Sequence, residues 1–258
     1  MLHHAAGPLH YFTFHSFPDG DLTHAVFARA GGVSPGPWAS LNMSISTGDS
    51  AENARANRER AFAALGLPPD SFMDVWQVHG VETVKADAPR GGGSPVKADG
   101  LITDRPGLAL LQRFADCVPI LLYDPKHRAL GIAHAGWRGT VAGAAASPVK
   151  AMAEAYGARP ADLFAGIGPA IGPDQYEVGP EVVQAVRRGF PGGDDLLIQK
   201  NGRTYFDLWA ANARALREAG VEQIEIAGLC TATHTEHFFS HRAEAGKTGR
   251  FGAVIALR

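Results

Sequence analysis

The sequence predicts a single α/β domain of the mixed-sheet, α+β kind, in which layered β-sheets are flanked by helices. Short apolar runs typical of strands are interspersed with longer segments of helical periodicity along most of the 258 residues. Several of these runs are almost continuously apolar, as expected for strands that are covered on both faces of a sheet. Strands and helices do not alternate strictly, so the pattern favours a mixed sheet over a purely parallel one.

The N-terminal half contains one well-marked helix among short strands. Asp49 or Ser50 can cap this helix at its start, and Gly66 followed by two prolines ends it. The glycine-rich patch at 91–95 is too short to be a domain linker, so one domain spans 1–258, with residues 1–21 as a peripheral segment. Runs of β-prone residues predict strands at 24–30, 74–79 and 81–85.

Further strands and helices follow up to the C-terminus. An alanine-rich helix is predicted at 140–156, and a second helix begins at Pro180. Asp207 can cap a last helix, which Gly220 closes. Strands are predicted at 100–103, 108–111, 118–123, 129–133, 162–167, 223–227 and 251–257.

Composition and charge exclude several classes of protein. An apolar content of 45% argues against disorder, and a formal net charge of −2 gives no general attraction to nucleic acid or anionic membrane. No apolar run approaches the roughly 20 residues needed to span a bilayer. The N-terminus shows no signal-peptide pattern, and the two cysteines are too few for a disulfide framework. We therefore expect a cytoplasmic protein with neither nucleic acid nor membrane as a partner.

Three metal-capable residues stand at the ends or turns of predicted strands, namely His79, Cys117 and His134. Zinc binds imidazole nitrogen and thiolate sulfur, and a catalytic zinc site uses three protein ligands with one open position. No local motif fixes these residues together, because they lie far apart in the sequence. Two other interpretations stay open: Cys117 is a buried small hydrophobe, or it is a nucleophile with His134 as its base.

The turn at 136–140 favours an anion. Its glycines let the backbone approach a ligand, its helix start presents free N–H groups, and Arg138 adds a guanidinium group. The alternative is that Gly139 and Gly143 only allow the helix to pack closely against the sheet.

Other polar residues give weaker signals. Arg29 and Asn42 flank a loop rich in glycine and proline, where they either point into a pocket or serve as turn residues. His234 and His237 near Cys230 are interpreted as loop or surface histidines rather than as a second metal site.

A series of short motifs runs along the chain in a fixed order. They are Phe27-Ala-Arg29-Ala-Gly31-Gly32-Val33-Ser34, Ser40-Leu41-Asn42, Gln77-Val78-His79-Gly80, Ala115-Asp116-Cys117-Val118-Pro119, His134-Ala-Gly136-Trp137-Arg138-Gly139, Gly168-Pro169-Ala170-Ile171-Gly172, Tyr176-Glu177-Val178, Phe239-Ser240-His241-Arg242 and Thr248-Gly249-Arg250. In this order they resemble the laccase-domain (polyphenol-oxidase-like) purine nucleoside phosphorylase family, from about residue 22 to the C-terminus. One departure is His241, where the family usually has tyrosine.

The resemblance implies a single α/β domain with a zinc site formed by His79, Cys117 and His134. It also implies phosphorolysis of adenosine, inosine and methylthioadenosine to the free base and a ribose 1-phosphate, together with hydrolytic deamination of adenosine. A copper-dependent phenol oxidase activity has been attached to the family as well, which makes copper an alternative metal. Three ligands at one site do not, however, form a multicopper cluster.

Within this framework each polar residue has an expected role. Cys117 and His134 belong to the catalytic centre, and Asp116 supports it or carries a proton. Arg29 and Arg138 orient phosphate, and Asn42 contacts the ribose or the base. Two rival classes are a cysteine hydrolase built on the same thiol and imidazole, and a non-catalytic small-ligand protein. The oligomeric state is left open.

Overall fold

A computed structural model describes residues 1–18 and 20–258 of the chain. The strands are β1 (Leu2–Ala6), β2 (Leu9–Thr13), β3 (Leu22–Phe27), β4 (Phe72–Met73), β5 (Thr83–Lys85), β6 (Gly100–Thr103), β7 (Ala109–Phe114), β8 (Val118–Asp124), β9 (Ala129–Ala135), β10 (Phe164–Ile167), β11 (Leu197–Lys200), β12 (Arg203–Phe206), β13 (Gln223–Ile226) and β14 (Phe251–Leu257). The α-helices are α1 (Ala51–Ala64), α2 (Trp137–Ala142), α3 (Ala146–Tyr156), α4 (Pro180–Gly189) and α5 (Leu208–Glu218). None of these helices combines the length and the apolar character needed to cross a membrane.

Two six-stranded sheets form the centre of the fold. The strand order is β1-β2-β3-β14-β7-β4 in the first sheet and β13-β10-β8-β9-β6-β5 in the second, while β11 and β12 form a separate hairpin. Three neighbouring pairs are parallel, namely β4 with β7, β5 with β6 and β10 with β13. The pairs between them are antiparallel, for example β8 with β9. This mixed pairing confirms the predicted fold class, a single mixed α/β domain.

The two sheets pack against each other, with α1 on the outer face of the first sheet and the other four α-helices on the side of the second. Phe114 of β7 and Ile132 of β9 belong to a core cluster between the sheets. Residues of opposite parity face outward, because side chains alternate along a strand. Phe62 of α1 packs on the outer face of the first sheet, and Met152 of α3 packs on the outer face of the second.

Most of the predicted elements are confirmed to within a few residues, and the two helix starts with capping signals are clear examples. Ser50 caps α1 by accepting a hydrogen bond from the Asn53 N–H. Asp207 caps α5 by accepting one from the Ala210 N–H. Local chemistry at these positions is strong enough to fix the helix start.

The segment 74–79 is not the predicted strand, because its end is held by a side chain instead of a neighbouring strand. The backbone N–H groups of residues 78–80 all donate to the carboxylate of Asp99. The chain therefore leaves the sheet after β4 and carries His79 in a loop.

The predicted helix at 140–156 is two helices, α2 and α3. Gly143 ends α2 with a φ of +96°, a left-handed conformation that favours glycine. The change of direction lets α2 pack beside α4 and α5 while α3 lies on β9.

Residues 1–21, expected to be peripheral, supply the outer strands of the first sheet. β1 pairs with β2, and β2 pairs with β3. The amino group of Met1 forms an ion pair with Glu225 at 2.9 Å, which ties the segment to the end of the second sheet. Residue 19 of this segment lies outside the described residues. The hairpin of β11 and β12 was also not predicted.

His24 on β3 should make the stability of the fold depend on pH. Its Nε2 accepts a hydrogen bond from the Phe14 N–H at 2.8 Å, and its ring lies 4.8 Å from that of Phe17. Burial lowers the pKa of His24 to about 4, and Glu225 offsets this only in part. In the unfolded chain the pKa returns to about 6.5, so the unfolded state binds more protons between these two values.

We expect the free energy of unfolding to fall as the pH drops from about 6.5 to about 4, by up to about 3 kcal/mol from this group, and not to change through it above pH 6.5. Chemical denaturation across this pH range measures the slope. In His24→Gln, which keeps an acceptor for the Phe14 N–H, the slope should be shallower. Equal slopes in both proteins would contradict the assignment.

Candidate metal centre

His79, Cys117 and His134 meet at one end of the layer between the two sheets. Cys117 directly precedes β8, and His134 lies on β9, where it pairs with Pro119. The antiparallel pairing of β8 and β9 places the thiol and the imidazole side by side. His79 comes from the loop before β5 and adopts a left-handed backbone with a φ of +62°.

The donor atoms of these three side chains all lie within 4.8 Å of one another. The rings of His79 and His134 meet edge to face, with centroids 4.9 Å apart. His134 is buried, Cys117 is half-buried and His79 is exposed, so the group is accessible from the His79 side. The structure thus brings three distant residues together as a group that could hold a metal ion.

Asp99, which the sequence analysis missed, organises this group. Its carboxylate accepts hydrogen bonds from the backbone N–H groups of Val78, His79 and Gly80 at 2.7–3.1 Å. It also contacts Nδ1 of His134 at 2.8 Å. Since this contact occupies Nδ1, the Nε2 atom of His134 is left to face a metal. The only sequence signal is an acidic residue directly before the apolar strand at 100–103.

The electrostatics of the group favour a charged thiolate and a charged carboxylate. Burial raises the pKa of the Cys117 thiol, but the neighbouring His134 and His79 rings outweigh burial and lower it. Burial likewise opposes ionisation of Asp99, yet hydrogen bonds from His134 and Gly80 hold its pKa below the usual range. A thiolate is the form of cysteine that binds metal or acts as a nucleophile.

Gly136 allows the three side chains to approach one another. A Cβ atom at this position would lie 2.8 Å from Cδ2 of His79 and 3.0 Å from Sγ of Cys117. Both separations are shorter than van der Waals contact permits. The glycine after β9 is therefore a steric requirement of the site, and not only a helix-start residue.

Asp116, the neighbour of Cys117, is held by a buried network. Its carboxylate accepts hydrogen bonds from the hydroxyl groups of Thr231 and Ser240 at 2.6 and 2.7 Å. It also accepts one from the backbone N–H of Arg242 at 2.6 Å. Asp116 therefore ties the C-terminal segment 231–242 to the wall of the site.

Arg29 and Asn42 are placed elsewhere, in the loops next to the first sheet. Arg29 donates to the backbone carbonyls of Ala39 and Thr235 and to the carboxylate of Glu244. Asn42 is fully buried, and both atoms of its amide bond to neighbouring loop residues. The structure therefore does not bring these two residues to the site, because their polar groups already hold the loops together.

A cavity of about 810 Å³ opens over the three donors. This volume lies within the range of small-molecule sites, which is about 300–1,000 Å³. Arg138 lines it with an exposed guanidinium group that stacks on Trp137 at 4.4 Å. The side chain of His241 also lines the cavity. Other polar lining residues include Ser44, Ser46, Arg58, Asp74, Arg90, Arg113, Asp116, Tyr176, Arg242 and Arg250.

The pair His234 and His237 does not form a second metal group with Cys230. His234 contacts Glu236 at 3.1 Å, and the Cys230 sulfur accepts a hydrogen bond from the Gly172 N–H at 3.1 Å. Among the residues that the structure describes, the group around Cys117 is the one set of three metal-capable side chains close enough to share an ion.

The fold and the site together define a layered α/β protein in which a His-Cys-His group faces a small-molecule cavity. The chain belongs to the family described as multi-copper polyphenol oxidoreductase laccase, whose model matches residues 23–258. This membership confirms the resemblance that the motifs indicate.

The relatives of the chain are named for a different activity, that of a purine nucleoside phosphorylase. The chain is 42% identical over 240 residues to a purine nucleoside phosphorylase of Deinococcus radiodurans, with 93% of this chain and 91% of the relative covered. It is 39% identical to purine nucleoside phosphorylase YlmD of Geobacillus stearothermophilus, with 89% and 88% covered. The crystal structure of YlmD from Geobacillus stearothermophilus matches with a TM-score of 0.92 at 36% identity, covering 99% of this chain and 98% of that one.

Replacing Asp99 should weaken metal binding without touching a ligand atom. In Asp99→Asn one carboxylate oxygen becomes an N–H₂ group that faces backbone donors, so the loop of His79 and the ring of His134 lose their orientation. Loss of such an outer partner typically weakens metal affinity by about 10- to 100-fold. Competition with a chromogenic chelator measures the affinity. The exposed Asp87→Asn is the matched control, and an equal affinity in both variants would show that Asp99 does not orient the ligands.

Gly136→Ala tests the steric requirement directly. The added methyl group must displace His79 or Cys117, and overpacking of this kind costs about 1–3 kcal/mol. We expect metal affinity to fall by about tenfold or more, while Gly92→Ala, where a Cβ meets no atom within 4 Å, leaves it unchanged. Metal content after dialysis gives the comparison. Full occupancy of Gly136→Ala would refute the requirement.

Proposed function

We propose that the protein is a metal-dependent purine nucleoside phosphorylase. Its substrates would be adenosine, inosine and methylthioadenosine, which it would cleave with phosphate to the free base and a ribose 1-phosphate. The observation that carries the proposal is the open His-Cys-His group at a cavity of about 810 Å³ that is also lined by guanidinium groups. The names of the relatives in Deinococcus and Geobacillus support the same reaction.

Zinc is the metal that we propose for this group. His79, Cys117 and His134 would hold it, because two imidazole nitrogens and one thiolate match the ligand preference of catalytic zinc. When bound, zinc would supply a Lewis acid that polarises oxygen and lowers the pKa of water. The same donors also suit copper, so the metal has to be identified in the protein as isolated.

Phosphorolysis makes three demands on the residues around the metal. An oxygen of phosphate bonds to the anomeric carbon while the bond from that carbon to the purine nitrogen breaks, and the electron pair leaves with the base. The departing base takes up a proton, which the attacking hydrogen phosphate gives up in the overall reaction, and the sugar carries positive charge on the way. Arg138 would hold an anionic or polar group of the substrate, since its guanidinium group lies over the Trp137 ring and forms no ion pair among the described residues. Asp116 acts as a positioning residue, because its hydrogen bonds hold the cavity wall at Arg242.

We propose hydrolytic deamination of adenosine as a second activity of the same site. In that reaction water replaces the 6-amino group of the purine, and ammonia leaves. The exposure of His79 favours it, because a small molecule can reach the donor group from the cavity. Both reactions would share the orientation of His134 by Asp99.

A product assay combined with metal analysis tests the proposal. Wild-type protein should contain about one zinc ion per chain, release adenine from adenosine only with phosphate, and form inosine without it. Cys117→Ala should lose both the metal and the products. Cys230→Ala is the matched control, because its sulfur lies outside the donor group and accepts a single backbone hydrogen bond.

Two outcomes would overturn this function. Metal-free protein that still turns over, and that thiol alkylation inhibits, would instead indicate a cysteine hydrolase that uses Cys117 and His134. Zinc-loaded protein that releases neither product would leave a metal site with another substrate.

A further inference from the structure

The lining of the cavity includes three arginines that the proposed metal chemistry does not use, Arg58, Arg90 and Arg113. The carboxylate of Asp74 belongs to the same lining. Asp74 is buried, and it binds Arg90 and, at 2.7 Å, Arg113. Its charge is therefore already engaged by two guanidinium groups.

Arg58 is the one of these three arginines that forms no ion pair with Asp74. It lies half-buried on α1, with its guanidinium group over the Phe72 ring at 5.7 Å. Within residues 1–18 and 20–258 it has neither an ion pair nor a side-chain hydrogen bond. Burial lowers the pKa of Arg58 and the nearby Arg113 lowers it further, while the charge of Asp74 offsets this only in part. A half-buried guanidinium group beside other cations is unfavourable unless an anion joins it.

Arg250 is a second guanidinium group of the same cavity whose partners are backbone carbonyls. It donates to the carbonyl oxygens of Thr248 and Gly249 at 3.1 and 2.8 Å. No carboxylate of the described chain lies within ion-pair distance of it. Arg250 lines the same cavity as Cys117, and burial lowers the pKa of Arg250.

Two serine residues line the same cavity as Arg250, and the backbone of one of them is held beside the Arg250 backbone. Oδ1 of Asn42 accepts hydrogen bonds from the backbone N–H groups of both Ser44 and Arg250, at 3.1 and 2.9 Å, and so holds the two residues next to each other. The hydroxyl groups of Ser44 and Ser46 lie 3.0 Å apart, and both residues line the cavity. Asn42 is thus a support for this wall and not a ligand contact.

We propose that Arg58, Arg250 and the hydroxyl groups of Ser44 and Ser46 form a subsite for a phosphate group. Guanidinium groups bind tetrahedral oxyanions through paired N–H donors, and serine hydroxyl groups complete such a site. In this assignment, which rests on the proposed function, the occupant is the inorganic phosphate that attacks the anomeric carbon. The phosphate of a nucleotide has the same chemistry, so the test separates the two sources.

The test compares Arg58→Gln and Arg250→Gln with the wild type and with Arg55→Gln. Arg55 is the matched control, because it lies on the same helix as Arg58 but is exposed and paired with Glu59 at 3.0 Å. Binding of inorganic phosphate to the zinc-loaded protein is measured by calorimetry, and the KM for phosphate is measured with inosine. We expect the Kd and the KM for phosphate to rise by about tenfold or more in the two cavity variants. The KM for inosine and the constants of Arg55→Gln should stay within about twofold of the wild type.

The outcomes separate this subsite from the proposed function. Unchanged phosphate binding in both cavity variants, with base release intact, would overturn the subsite and leave the function standing. If the wild type binds phosphate but releases no base, and the two cavity variants lose phosphate binding, the result would support the subsite and refute the function. Binding of inosine 5′-monophosphate that depends on Arg58, without binding of inorganic phosphate, would overturn the assignment of the co-substrate.

Arg58→Lys guards against a loss of folding in Arg58→Gln. Lysine keeps the charge but cannot donate two parallel hydrogen bonds, so its phosphate affinity should fall between those of the wild type and Arg58→Gln. Thermal unfolding of each variant is recorded alongside. If Arg58→Lys and Arg58→Gln both bind phosphate as tightly as the wild type, the proposed role of Arg58 is wrong.

Discussion

The carboxylate of Asp99 is the interaction on which the rest of the site depends. It gathers three consecutive backbone N–H groups of the loop 78–80 and the imidazole of His134 around one buried charge. A buried carboxylate is stable only when its oxygens are fully hydrogen-bonded, so loop and strand cannot move apart without a large cost. The left-handed backbone of His79 is a consequence, because the loop must turn sharply to direct all three N–H groups at one side chain.

The layered fold explains why a precise site can stand at this place. β8 and β9 are buried along their whole length, so the positions of Cys117 and His134 are fixed by the two cores on either side of the second sheet. The other walls of the cavity come from helices, from β7, from loops and from the C-terminal segment that Asp116 binds. The pairing of β8 and β9 therefore positions two of the three candidate ligands, Cys117 and His134, whereas His79 reaches the group from a loop.

The sequence is informative where the deciding contacts are local, and it fails where they are distant. Helix caps such as Ser50 act within three residues, and continuous apolar runs mark β8 and β9 without reference to the rest of the chain. Asp99 acts over 20 positions to His79 and over 35 to His134, so no spacing rule could have found it. The family motifs placed His79, Cys117 and His134 together, but Arg29 carries a similar motif signal and serves the loops instead. A motif reports that a residue is constrained, and only the structure tells whether a ligand or the fold constrains it.

The charge of the cavity is a second property that the sequence does not predict, because it depends on which distant residues come together. A net charge of −2 over the chain gives no general attraction to anionic partners. Inside the cavity, however, arginines outnumber carboxylates, with Asp74 and Asp116 both engaged in hydrogen bonds. Positive charge in a partly enclosed space of low dielectric acts more strongly than the same charge in water. A nearly neutral protein can therefore attract an anion to one point on its surface. Arg58 and Arg250, which form no ion pair among the described residues, are the guanidinium groups that we propose for that point.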